Sequence, residues 1–151
     1  MATTYNFTNG SIAGHKKQHA TTPRGFEPFM LRNVVDTQYQ NIANDSSIGQ
    51  VLNIPAGVIV MGCWINIITV DAGGGTVSLG VTGVDATKWG SGIALTPVGA
   101  KEVTGGPSFN PLYFSSADTI DILEDAAAAI TTAKFEVIAW CVKSSSTIDA
   151  E

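Results

Sequence analysis

Between residues 33 and 143 the apolar residues fall at every second position in short runs, and nowhere at a sustained helical spacing. Alternation of period two sends successive side chains to opposite faces of an extended chain, so it predicts strands buried on one side. "NVVDTQYQ" and "IGQVLNI" read as short strands on either side of "ANDSS". A turn follows at Pro55–Gly57, since proline presets the first turn torsion and glycine accepts positive φ. It leads into "VIVMGCWINIITV", where unbroken alternation groups Ile59, Met61, Cys63, Ile65 and Ile67 on one face. Thirteen residues is long for a strand, and Gly62 is the position for a bulge or bend.

"DAGGG", residues 71–75, reads as a flexible hairpin connection into "TVSLGVTGV", where Val77, Leu79 and Val81 alternate with polar neighbours. "DATKWGSGIALTPVG" reads as a long loop that presents Trp89. "AKEVT" is a short strand cut off by "GGPSFNP", and "LYFSS" and "TIDILE" are strands around Ala117 and Asp118. The alanines of "DAAAAITT" favour a helix, but so short a segment between two strands reads as a wide loop. In the last strand, "AKFEVIAWCVK", Phe135, Val137, Ala139 and Cys141 lie opposite Glu136, Ile138 and Trp140. About eight strands with regular turn signals predict an all-β body, a jelly roll or β-sandwich.

Residues 1–32 break this pattern. "GHKKQHATTPRGFEPFM" holds both histidines, Lys16, Lys17 and Arg24, with Arg32 just beyond, and Pro23 and Pro28 oppose regular structure. The expected organisation is an extended N-terminal arm at 1–32, a body at 33–143 and a frayed polar tail at 144–151. Free in solution such an arm stays unordered, and a partner's contacts offset the entropy of ordering it. Phe26 and Phe29 are its expected anchors, because aromatics bury much area with few rotatable bonds. Lys16, Lys17, Arg24 and Arg32 are its expected electrostatic contacts.

Charge sharpens that reading. Charged residues are 14% of the 151, against roughly 25% in soluble domains. Either other subunits cover much of the surface, or that surface is polar without charge through Gly, Thr and Ser. Residues 1–33 hold four basic residues against one acid, and the remainder four against twelve, within a formal net charge of -5. An acidic body argues against nucleic acid as a partner, since phosphate neutralisation needs clustered Lys and Arg. "MATTYNFTNG" lacks the apolar core of a secretory signal. The charge-free stretch from Ser46 to Val70 is interrupted by Gln50, Asn53, Pro55 and Gly57, and its apolar part falls short of the ~20 residues of a spanning helix. No membrane partner is expected.

Candidate chemistry is sparse. His15 and His19 could share a helix face, but Gly14 and "TTP" oppose a helix and no third ligand is near, so no metal site is expected. Cys63 and Cys141 each adjoin a tryptophan on the apolar face of a strand, which favours buried thiols over a bridge. "GGG" and "GSG" open no helix after a strand and read as turns, not phosphate loops. Asp121, between Ile120 and Ile122, falls on the solvated face of its strand. Calcium around Asp85 or Asp118 is weighed against solvated turn acids, and the latter are favoured. No catalytic residue and no cofactor is assigned, so the expectation is a non-enzyme.

The run "LNIPAGVIVMGCWINIITVDAGGGTVSLGVTGVDATKWG", closing with "LYFSSADTIDILEDAAAAITTAKFEVIAWCVK", resembles the capsid decoration, or cement, proteins of tailed bacteriophages. The resemblance spans Val51 to Lys143 and rests on structural motifs. It implies a jelly-roll or sandwich domain, often a homotrimer, made in the host cytoplasm and seated on the capsid surface of the virion, with the major capsid protein as partner. The competing reading is a carbohydrate- or receptor-binding sandwich of a tail or head fibre, with Trp89 stacking on sugar from its loop.

Overall fold

The computed structural model describes residues 4–6, 19–20, 28–43, 47–101, 109–125 and 129–143. Eleven strands lie among them: β1 (Thr4–Asn6), β2 (His19–Ala20), β3 (Phe29–Asp36), β4 (Ile48–Ile54), β5 (Val58–Thr69), β6 (Thr76–Val81), β7 (Asp85–Ala94), β8 (Gly99–Lys101), β9 (Phe109–Phe114), β10 (Asp118–Glu124) and β11 (Lys134–Lys143). They form two sheets, in the orders β1-β4-β10-β6-β7 and β2-β3-β11-β5-β8, with β9 also on β5. No helix occurs among the described residues. The stretch 46–70 supplies strands β4 and β5, and no described helix is long and apolar enough to cross a membrane.

The connections define the fold. From β3 onward the chain changes sheet at β3–β4, β4–β5, β5–β6, β7–β8, β9–β10 and β10–β11, and stays within a sheet at β6–β7. Since β8 and β9 share one edge of β5, eight strand positions result, four in each sheet. Two four-stranded antiparallel sheets with this alternating connection are a jelly roll, as the alternation and turn signals predict. "DAGGG" is therefore no hairpin: it carries the chain from the β5 sheet to the β6 sheet.

The core lies between the sheets. Leu31, Val35, Val60, Cys63, Ile65, Phe135, Val137 and Cys141 from one sheet meet Val51, Leu52, Val77, Leu79, Ile120 and Ile122 from the other, all buried. Asn33 adds a polar link between them, donating its side-chain amide to the Val51 carbonyl at 3.0 Å. At the β6–β7 hairpin the backbones come so close that a Cβ at Gly80 would collide with the main chain of Asp85 and Ala86. Only glycine fits there.

Two pieces of the expected arm pair with the body. β1 runs parallel to β4, and β2 runs antiparallel to β3 with His19 opposite Arg32. Each adds a short strand to a sheet edge that would otherwise present unpaired backbone groups. The body also begins earlier than expected. β3 starts at Phe29, four residues before the anticipated boundary at 33, because Phe29 and Leu31 continue the inward alternation of Asn33 and Val35. Lys16, Lys17, Arg24, Phe26 and the tail 144–151 lie outside the described residues.

Candidate interaction surface

The outward faces of the two sheets differ in chemistry. On the β3-β11-β5 sheet, strand register places Met30, Trp140 and Gly62 in one row and Arg32, Ile138 and Trp64 in the next. A third row runs Val142, Ile59, Tyr113. Met30 is 53% exposed, Tyr113 50% and Trp140 41%, while Ile59, Met61, Trp64, Ile138 and Val142 are half-buried. Isolated exposed apolar residues are ordinary, but a contiguous patch rich in Trp, Tyr and Met has the composition of an interface.

A bulge adds Ile59 and Met61 to this patch. Between Val60 and Gly62 the register of β5 shifts against both β9 and β11. The shift falls where Gly62 was expected to mark a bulge. Its effect on facing was not anticipated. Val58 and Val60 point inward before it and Cys63, Ile65 and Ile67 after it, so Ile59 and Met61 leave the core side and join Trp64 outside. One extra residue reverses every side chain beyond it.

Charge on this face is balanced locally. Arg32 Nε lies 3.7 Å from Glu136 Oε1, and Lys134 Nζ lies 3.1 Å from Asp36 Oδ2. The β4-β10-β6-β7 sheet instead turns polar residues such as Asn53 and Thr119 outward, while the exposed Asp85, Asp118 and Asp125 lie at or just beyond its strand ends and Lys88 is half-buried. Asp121 is buried rather than solvated. Its carboxylate accepts from the Thr82 N–H at 3.1 Å and the Thr119 hydroxyl at 2.6 Å.

Asp71 is a second buried carboxylate. Oδ2 accepts the Gly75 N–H at 3.0 Å, and Oδ1 accepts the N–H groups of Thr131 and Thr132 and the Thr132 hydroxyl at 3.2–3.3 Å. Burial pushes its pKa up, but the hydrogen bonds from Gly75, Thr132 and Thr131 outweigh it and leave the carboxyl below its ordinary range. The group ties the β5–β6 connection to the segment before β11, so "DAGGG" is anchored rather than loose.

The expected contact residues separate. Phe29 is 7% exposed and belongs to the core, so it cannot serve as an arm anchor. Arg32 is exposed, but on the outward face of β3 rather than on an arm. Trp89 belongs to β7 instead of a loop and is fully buried, its indole N–H donated to the Asn110 carbonyl at 3.0 Å. It presents no platform to a sugar. Cys63 and Cys141 are free and buried. Among the described residues no cluster of three or more His, Cys, Asp or Glu side chains is placed to hold a metal ion. Asp85 accepts the Thr87 N–H at 3.1 Å, and Asp118 accepts the Thr119 N–H at 2.8 Å.

No protein-family model matches the sequence, and no curated protein matches it. Among solved structures the chain is similar to one in the cyanophage Pam1 capsid asymmetric unit, with a TM-score of 0.57 and 16% sequence identity, over 87% of this chain and 95% of that one. The likeness is one of fold. It extends along nearly the whole of both chains, so the two share a domain and not merely a motif.

Proposed function

We propose that this protein is a structural component of a phage particle: a decoration protein that binds the outer surface of the head and stabilises it by bridging major capsid subunits. The observation that carries the reading is the jelly roll shared over 87% of the chain with a chain of a cyanophage capsid. An outward sheet face rich in Trp, Tyr and Met supports a place in an assembly. The protein acts as a homotrimer on the virion surface, performs no catalysis, and needs neither cofactor nor nucleic acid nor membrane.

In this reading Lys16, Lys17 and Arg24 meet carboxylates on the shell and Phe26 supplies the apolar anchor, while the body keeps Phe29 for its own core. The carbohydrate-binding reading depended on an exposed Trp89, and burial of that ring leaves it without a residue.

Co-sedimentation with undecorated heads tests the proposal. The parent protein should pellet with heads, less so at high salt as screening weakens the basic contacts. A Lys16→Glu, Arg24→Glu, Phe26→Ala triple variant should lose most of that binding. A parent that stays in the supernatant at low salt sinks the decoration role, and a triple variant that binds like the parent sinks the arm's part in it.

A further inference from the structure

We infer that the outward face of the β3-β11-β5 sheet is where copies of this chain meet, with Met30 and Trp140 at the centre of the contact. The inference deepens the self-association in the proposed function and rests on that reading only for its three-fold stoichiometry.

Two observations choose a second copy as the occupant. The first is apolar continuity. Met30, Met61, Trp64, Ile138, Trp140 and Tyr113 occupy neighbouring outward positions on four strands, and residues of these types are the ones that carry binding energy in the dry centre of an interface. The second is charge. Around a closed rotation axis, residues near the axis approach their own copies, so like charges there repel. The chain as a whole carries -5, and most of its surface would oppose self-association on that ground. This face does not, because each of its cations is paired with an anion of the same face, Arg32 with Glu136 and Lys134 with Asp36. The exposed carboxylates Asp85, Asp118 and Asp125 stand instead at the strand ends of the opposite sheet, away from this face. A neutral apolar face fits a copy of itself.

Sedimentation of the full-length protein at micromolar concentration, without heads, reads the inference. The parent should sediment as a multiple of its 15.7 kDa chain mass. Met30→Glu and Trp140→Glu should each sediment as single chains while keeping the parent's far-ultraviolet spectrum and a cooperative melt. Val84→Glu, 67% exposed at the β6–β7 turn, should assemble like the parent. Hydroxyl-radical footprinting of the unmodified protein supplies a measurement that needs no variant. Met30, Met61 and Trp140 should be shielded in the assembled form and labelled after dilution to single chains. A monomeric parent, equal labelling in both forms, or folded face variants that assemble normally would each overturn the inference. Assembly without head binding would instead sink the decoration reading and leave this one standing.

Discussion

Trp89 and Asn110 join β7 to β9 by two hydrogen bonds running in opposite directions. The indole N–H donates to the Asn110 carbonyl at 3.0 Å, and the Asn110 side-chain amide donates to the Lys88 carbonyl at 3.1 Å. These strands belong to different sheets, so the pair closes the sandwich along the edge where β7 and β9 end their sheets. Trp89→Ala should therefore cost about 3–5 kcal/mol, the usual range for deleting a buried large aromatic. Trp89→Phe keeps much of the volume but leaves the Asn110 carbonyl without its donor, and should cost about 1–3 kcal/mol. Denaturant unfolding measures both. A Trp89→Ala protein as stable as the parent would mean that the ring is not packed between the sheets.

Asp71 gives the protein an acid-sensitive joint. Its folded-state pKa lies below the unfolded value of about 3.9, so its stabilising effect is present above that pH and is lost as the pH falls through the folded value. Asp71→Asn puts an amide N–H against a backbone N–H, whichever way the side chain turns, because both carboxylate oxygens accept from donors. The variant should lose about 1–3 kcal/mol at neutral pH, and its stability should fall less steeply than the parent's as the pH drops below about 4. Parallel acid limbs for the two proteins would show that Asp71 does not govern this window.

Burial raises the pKa of both thiols. Cys63 is pushed well above its ordinary value by desolvation and then by neighbouring Cys141, which is itself pushed up to about 12 by desolvation. The thiolate is the reactive form, so neither residue should react with a thiol reagent in the native protein at pH 8, and both should react at once in denaturant. Both folded values exceed the unfolded one of about 8.5. Their contribution to stability is complete below that pH and declines as the pH climbs toward the folded values. Rapid native labelling would contradict the buried placement of both strand faces.

What the sequence made legible was whatever depends on short-range alternation. β6 and β11 show it: Val77, Leu79 and Val81 are buried, and so is the set Phe135, Val137, Ala139, Cys141, as the pattern requires. What it concealed depends on partners far along the chain. Asp71 and Asp121 each take one local donor, Gly75 and Thr119, which a turn or exposed strand would equally allow, but their other donors Thr131, Thr132 and, for Asp121, Thr82 lie 39–61 residues away, and these mark them as buried. β7 reads as a loop because Gly90 and Gly92 interrupt it, and its pairing with β6 is irregular at two points. The outward apolar face was half visible, through Ile138 and Trp140 on the polar side of their strand. Ile59 and Met61 were hidden, because the phase of β5 is set by a bulge that its partners β9 and β11 define.

The boundary of the body gives a sharp test of where the arm ends. Removing residues 1–32 would take Phe29, Met30, Leu31 and Arg32 from β3, half of an eight-residue strand, and with them two core side chains. It would also strip β11 of its partners opposite Ala139 and Cys141, leaving Ile138–Cys141 unpaired on that side. Removing residues 1–27 keeps β3 whole and, among the described residues, costs the pairings of β1 and β2 at the two sheet edges. The longer deletion should yield a protein without a cooperative thermal transition. The shorter one should melt cooperatively, somewhat below the parent, since strands of two and three residues at sheet edges add few ladder hydrogen bonds. Circular dichroism melts of the two truncations decide the point. A folded 33–151 fragment would place the first strand of the body after Arg32, and an unfolded 28–151 fragment would make β1 and β2 integral to the jelly roll rather than additions to its edges.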